Sequence, residues 1–428
     1  MNLWKRENKM NAFHYQNGQL YIEDIAISDI AKNVPTPFYV YSQQGITDHF
    51  RAFDGAAKKN LKKSLTCFAV KSNANPSVLK LLAGLGAGAD IVSGGELLLA
   101  LKSGIPADKI VFSGVGKTRE ELTLAVENNI KQINVESEEE ALMLDEIAAL
   151  AGKKARIALR INPDVDAHTH YKMTTGKKEN KFGVDWKKAR SLYRLFSESK
   201  GLLPVGIDVH VGSQLLEMEP FEEAFERAAE IVRRLRDDGI DIRTIDIGGG
   251  LGVAYREMDN PPSVENYMAL VGKILGGLEC EIVFEPGRFL VAQSAVLVSR
   301  AVRVKQTETK RFLVLDAGMN DLIRPAIYEA YHGIAAVKEG QNDHSYDVVG
   351  PICESSDVFG KDRLLPAMKA GDLVVIKTAG AYGSSMGSNY NFRPLCAEVL
   401  VNGAGYAVIR ERQSFDDMLA LTRPAPWL

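Results

Sequence analysis

Residues 67 to 76 read CFAVKSNANP, a short apolar run that ends in Lys71 and then in turn-forming residues. A lysine carried on a core strand either reaches past the strand end into water or is wanted inside for its amine. A desolvated amine has a lowered pKa and is a good nucleophile toward an aldehyde. Further along, DIGGGLG groups Gly248, Gly249, Gly250 and Gly252, which permits close backbone approach and offers amide N–H groups to an anion. EPGR follows, with Gly287 and Arg288 suited to the same anion and Glu285 directly before them. A Schiff-base lysine together with a phosphate anchor is what pyridoxal phosphate requires, and a buried Glu285 opposite the pyridine nitrogen would keep that nitrogen protonated. Each residue also has an ordinary structural use: Lys71 as a strand-end lysine, the glycines as a tight turn, Glu285 as a partner for Arg288, His210 as a core histidine.

For these residues to act together, the elements that carry them must end in one place. From about residue 37 to 290, short β-rich runs alternate with helical patterns, the rhythm of repeated βα units and a parallel sheet. The runs are TCFAV, ADIVS, KIVFSG, QINVES, RIALRIN, GIDVHVG, TIDIGGG and EIVFEPG. Helix starts lie between them: Asn75 before Pro76, and the capping-box pairs Thr118 with Glu121 and Ser137 with Glu140. EPFEEAFERAAEIVRRLRDDG reads as a helix closed by Gly239. Eight strands in about 250 residues match a (β/α)8 barrel, an open doubly wound sheet being the other arrangement the pattern admits. In a barrel the working residues sit at the carboxyl ends of the strands. Lys71, Arg160, Asn162, His210, Ser213, the glycine run and EPGR fall at such positions, and Asp90 opens the second strand.

After residue 293 the rhythm changes. VLVSRAVRVKQ, KRFLVLDAG, YDVVGP, GDLVVIKTAG and AEVLVNGAGYAVIRER are strands with few helices between them, the last a hairpin turning near Asn402 and Gly403. FHYQNGQLYIEDI near the N-terminus reads as a second hairpin, at Asn17 and Gly18. The expected organisation is a barrel over residues 37–293 and a discontinuous, mostly β domain from 1–36 plus 294–428.

At 428 residues with 46% hydrophobic content, the chain can bury a large core. A net charge of -3 with mixed signs offers no basic stripe for a nucleic acid. Cys67, Cys280, Cys353 and Cys396 are widely spaced, which implies neither a zinc site nor a disulfide framework and fits a reducing compartment. MNLWKRENKM has no apolar segment behind its charges, and no apolar run reaches membrane-spanning length, so the expectation is a cytoplasmic protein without a membrane partner or a metal. Met10 is an alternative start to Met1.

FAVKSN, GADIVSGGEL, HVGSQ, IGGGLGV, EPGR, CESSD and GAYGSSMGSNYNFRP, in that order, resemble the fold-type III pyridoxal phosphate decarboxylases. The likeness runs from about residue 36 to 420. It implies an alanine-racemase-like (β/α)8 TIM barrel plus a mostly-β C-terminal domain that completes the active site and the dimer interface. By the same resemblance Lys71 carries the cofactor, His210 stacks on its ring, Glu285 pairs with the pyridine nitrogen and Asp90 lies near the lysine. Ser213, Gly248, Gly249, Gly250, Gly287, Arg288 and Tyr390 would hold the phosphate. Cys353, reaching in from the partner subunit, would reprotonate the substrate carbon, so the resemblance implies a homodimer with shared active sites. Arg288, Arg324 and Tyr328 would hold a distal carboxylate and Glu354 a distal ammonium, as a small amino-acid substrate such as diaminopimelate presents; Tyr390 counts among the substrate contacts too. That far end needs a cationic fork and an acidic partner together.

Two positions depart from the family pattern: Ser356 stands where glycine is expected and Asn180 where serine is usual. The competing readings are a decarboxylase for ornithine, arginine or a carboxylated polyamine, a non-catalytic pyridoxal phosphate carrier, and a racemase. IRPAIYEAYH speaks against the first, because substrates ending in a cation have no use for Arg324. The β domain with Cys353 and Tyr390 speaks against the second, and a cysteine where a racemase places its second base speaks against the third.

Overall fold

The computed structural model describes residues 12–163, 165 and 181–428. Asn180 and the MNLWKRENKM segment with Met10 lie outside the described residues. The chain forms two compact units, His49–Ala254 with Asp259–Leu290, and Met1–Asp48 with Tyr255–Met258 and Val291–Leu428.

The first unit is a closed parallel barrel of strands β1 (Ser64–Ala69), β2 (Gly88–Ile91), β3 (Ile110–Phe112), β4 (Gln132–Val135), β5 (Ala155–Asn162), β6 (Leu202–Asp208), β7 (Thr244–Asp246) and β8 (Glu281–Phe284). Each strand pairs parallel with the next, and β8 returns to β1, so the open-sheet alternative falls away. All eight runs read from the sequence are strands. A short strand, Val184–Asp185, adds to the end of β5.

Helix starts follow local chemistry. Asn75 accepts from the Ser77 N–H at 2.9 Å, with Pro76 at the first helical position of Pro76–Gly84. Thr118 and Glu121 form the expected reciprocal box. The Ser137 box is only half realised: Ser137 accepts from the Glu140 N–H, but Glu140 takes the N–H of Glu136 at 3.2 Å and the buried Lys117 ammonium at 2.7 Å. The ion pair draws the Glu140 carboxylate away from the cap. The helix Glu219–Asp237 buries Phe221, Phe225, Ala228, Val232 and Leu235, and Gly239 at φ 81° follows it.

The second unit is built on the long strand Ala295–Gln306. Its first half pairs with Phe38–Ser42 on one side and Leu373–Ile376 on the other, its second half with Arg311–Leu315. Ala397–Asn402 runs parallel to Phe38–Ser42 and closes a hairpin with Gly405–Arg410. Val358–Leu365, paired with His344–Val349, and Ile334–Ala336 were not among the expected strands. The N-terminal hairpin Phe13–Gln16 and Gln19–Ile22 turns at Asn17 (φ 51°) and Gly18 (φ 71°), left-handed at both positions as a two-residue turn requires. Phe38, Val40, Val296, Val298, Val375 and Val399 lie in its core. Among the described residues no helix is long and apolar enough to cross a membrane.

Candidate active site

The site begins at β1. Register sets Ala69 opposite Asp90 on β2, and the chain leaves β1 through a single 3-10 turn, Val70–Ser72. Lys71 therefore arrives beside Asp90, and the two form an ion pair. Asp90 is fully buried, while the Lys71 side chain stays 39% exposed. The second oxygen of Asp90, Oδ1, has no hydrogen-bond partner among the described residues. An ammonium held by a buried carboxylate yet open on one side can be approached by a ligand.

Across the barrel mouth, His210 follows β6 and the glycine run follows β7. The Gly249 N–H donates to His210 Nδ1 at 3.2 Å, so Nδ1 is bare and a neutral ring carries its proton on Nε2. Desolvation, with Arg160 and Lys71 nearby, holds the imidazole well below its usual pKa and keeps it neutral. Gly248 is left-handed at φ 63°, and a Cβ there would press on the His210 ring, 3.0 Å from Cγ. A Cβ on Gly249 would run into the Glu285 carbonyl. Glycine is required at both positions by these close approaches.

Glu285, 8% exposed, directly follows β8 and accepts from Ser113 Oγ at 3.1 Å and Asn134 Nδ2 at 3.5 Å. Burial, with Asp246, Asp90 and Asp208 around it, pushes its carboxyl well above the usual range, and Lys71 pulls the other way. Burial likewise pushes Asp246 up to about 6 against the bond from the Gly248 N–H. Arg160 on β5 balances this acidity: Nη1 meets Glu136 at 3.1 Å and Nε lies 3.8 Å from Asp208. Burial would lower its pKa, but Asp208, Glu136 and Glu285 hold it above the usual value.

All residues of the expected anion site except Tyr390 also lie in this unit. Arg288, 6% exposed, donates from Nη2 to Ser213 Oγ at 3.0 Å. A Cβ on Gly287 would lie 2.9 Å from Ser72 Cβ, which brings EPGR against the turn that carries Lys71. Of the expected residues, Lys71, Asp90, His210, Ser213, Gly248–Gly250, Glu285, Gly287 and Arg288 thus share this unit. An amine, a neutral ring, a buried carboxyl and a glycine cradle with Ser213 and Arg288 suit the aldehyde, ring face, ring nitrogen and phosphate of pyridoxal phosphate.

The other expected residues lie in the second unit. Arg324, 3% exposed, opens the helix Arg324–Tyr328. Cys353 and Glu354 sit on an exposed loop. Asp357 ties that loop, accepting from the Ile352 and Met319 N–H groups at 2.7 Å each, and the Cys353 N–H reaches Asn391 Oδ1 at 2.9 Å. Ser356 is exposed, its hydroxyl 3.7 Å from Met319 Sδ. Tyr390 is 46% exposed, whereas Tyr382 in the same segment takes a left-handed φ of 55°, rare for a bulky residue. Sequence reasoning passed over Tyr382, and also Ser113, Asn134, Asp208 and Asp246, whose inward direction from the strands was the one available signal.

Comparison with known proteins follows the same lines. Residues 46–292 match the family model for the pyridoxal-dependent decarboxylases, pyridoxal binding domain. The diaminopimelate decarboxylase of Zymomonas mobilis is 47% identical over 98% of this chain and 100% of its own length. The structure of diaminopimelate decarboxylase from Helicobacter pylori, complexed with L-lysine, has a TM-score of 0.89 at 44% identity, covering 92% of this chain and 98% of that one. The enzyme of M. jannaschii, also in complex with L-lysine, has a TM-score of 0.93 at 37% identity, over 97% and 99% of the two chains.

Proposed function

This chain belongs to the pyridoxal-dependent decarboxylases, and from that premise we propose that it removes carbon dioxide from meso-2,6-diaminopimelate and releases L-lysine, the last step of lysine biosynthesis. The end-to-end likeness to diaminopimelate decarboxylases carries the choice of substrate. Pyridoxal phosphate, when bound, supplies the ring that takes up the electrons left behind as carbon dioxide departs.

The residues divide the remaining work. Lys71 Nζ is the amine that takes the aldehyde, and Asp90 holds it at the strand end. His210, neutral and packed on the glycine turn, offers a flat face for the ring. Glu285 holds the proton at the ring nitrogen, while Ser113 and Asn134 fix its carboxyl. Ser213, Gly248–Gly250, Gly287, Arg288 and Tyr390 take the phosphate. Toward the substrate, Arg288, Arg324 and Tyr328 take the distal carboxylate, with Tyr390 alongside, and Glu354 takes the distal ammonium. Cys353 of the partner subunit delivers a proton from Sγ to the substrate carbon.

That last role makes the homodimer the smallest active form. Support comes from the exposure of Cys353, whose N–H reaches Asn391, and from the apolar residue next in sequence: Phe392 is 51% and Phe415 60% exposed, and their rings stack 6.4 Å apart. Cysteines that are all free among the described residues suit a cytoplasmic enzyme. Carbon dioxide release from the purified protein, supplied in turn with meso-diaminopimelate, lysine, ornithine and arginine, tests the reading. Release from diaminopimelate alone is the expected result; faster release from ornithine or lysine would overturn it.

A further inference from the structure

We infer that His332 is a positioning residue, one that aims the Arg324 guanidinium at the substrate's distal carboxylate through a fixed, neutral tautomer. The inference rests on the reading above that Arg324 takes that carboxylate. His332 is fully buried, and its two ring nitrogens are engaged on opposite sides. Nδ1 lies 2.8 Å from the Lys377 carbonyl oxygen, and Nε2 lies 3.0 Å from Arg324 Nη1. A carbonyl can only accept, so Nδ1 carries the proton; an arginine can only donate, so Nε2 is bare. A protonated ring would set N–H against N–H, and the arrangement therefore holds only with the imidazole neutral.

Tyr255 completes the clamp. Its hydroxyl accepts from the same Nη1 at 2.9 Å, its ring lies 4.9 Å from Arg324 Cζ, and its edge meets the His332 ring at 5.3 Å and 84°. The two hydrogens of Nη1 are thus fixed by a hydroxyl and an imidazole. Both are neutral acceptors, so they set the plane of the fork without cancelling its charge, which a carboxylate in either place would do. The backbone is fixed as well: Pro325 follows Arg324 in the first turn, and the N–H of Glu329, left-handed at φ 52°, donates to the Arg324 carbonyl. A planar fork held this way meets a carboxylate at low ordering cost.

Three ligands separate positioning from general support. Meso-diaminopimelate and L-lysine both present the distal carboxylate; 1,5-diaminopentane has the same chain without it. Arg324→Ala should raise KM for diaminopimelate and weaken inhibition by L-lysine while leaving inhibition by 1,5-diaminopentane unchanged. If it does not, the reading of Arg324 fails, and the role of His332 fails with it. His332→Leu should raise KM and the L-lysine inhibition constant roughly 10-fold or more, with kcat and diaminopentane inhibition within about 3-fold. His332→Gln, whose amide oxygen can replace Nε2 as acceptor, should recover most of the loss. Tyr255→Phe keeps the ring and removes one acceptor, so a rise in KM of roughly 3-fold with the same ligand pattern is expected even if His332→Leu does not fold. With the Arg324→Ala result in place, His332 and Tyr255 variants that affect all three ligands equally, or none, would overturn the inference.

Discussion

Asp246 and Glu285 share one hydrogen-bond donor. The Asn134 amide nitrogen lies 3.2 Å from Asp246 Oδ2 and 3.5 Å from Glu285 Oε1, at the centre of the barrel. Buried acids this close favour the charge of one and the proton of the other: burial pushes both carboxyls upward, the charge of Asp246 raises Glu285 further, and Asp90 raises Asp246.

The relationship sets a sign for stability against pH. A carboxyl whose folded pKa is raised contributes stability that is fully present below the unfolded value and is lost as pH rises through the folded one. For Asp246 that loss falls around its value of about 6, and for Glu285 at the raised end of the range. His210 acts oppositely: its pKa is lowered, so its contribution is lost as pH falls below the ordinary histidine value. Glu285→Gln cannot ionise. In cofactor-stripped protein the Gln variant should match wild type near about pH 4 and melt a few degrees higher near about pH 8, His210 cancelling in the comparison. Identical melting profiles across that interval would mean that Glu285 ionises in the fold at no cost. The same variant should lose most decarboxylation.

Lys71→Ala should remove both the visible absorbance of the bound cofactor and all release of carbon dioxide, and borohydride should no longer fix a label at that position. It should also leave Asp90, a fully buried carboxylate, without its cation. Normal turnover in this variant would end the assignment of the amine.

Gly249→Ala puts a methyl group against the Glu285 carbonyl, a backbone atom that cannot step aside. Cofactor affinity should fall roughly 10-fold or more, with a loss of about 1–3 kcal/mol in stability. Gly277→Ala, where a Cβ meets nothing within 4 Å, is the control. Equilibrium titration with pyridoxal phosphate reads the difference; equal affinities would show that the glycine run is not held this tightly.

Cys353→Ala should leave cofactor uptake intact and lower kcat by roughly 10² to 10⁴, the range for a lost proton donor. Mixing this variant with Lys71→Ala should restore activity if the thiol comes from the partner subunit. An unchanged kcat would assign the proton to another group, and failure to complement would place the thiol and the amine in one chain.

The barrel was legible because each strand is a short apolar run bounded by glycine, proline or a helix cap, and period and length say the same thing at every repeat. Lys71, His210, Glu285 and the glycine run were legible because their types are unusual at strand ends. Asn134 and Ser113 were not, since a polar residue inside a four-residue strand, or directly after a three-residue one, gives no period to read. Phe38–Ser42 has every residue buried, just as a barrel strand would, and only pairing shows that it joins Ala295–Gln306 and Ala397–Asn402. Val358–Leu365 carries charge at three of its eight positions where it faces solvent and so did not read as a strand. Tyr255 and His332 are 77 residues apart, and no local pattern links them.

The seat of Phe38–Ser42, between Ala295–Gln306 on one side and Ala397–Asn402 on the other, has a consequence for how the chain is made. During synthesis this early segment is translated long before either neighbour, so its five buried residues must wait, unpaired, while hundreds of others leave the ribosome. The barrel, drawn almost wholly from residues 49–290, can close in that interval, whereas the β unit cannot complete its central pairing until the last strands emerge. A nascent chain stopped before residue 397 should therefore present an apolar strand edge to chaperones and to other chains alike.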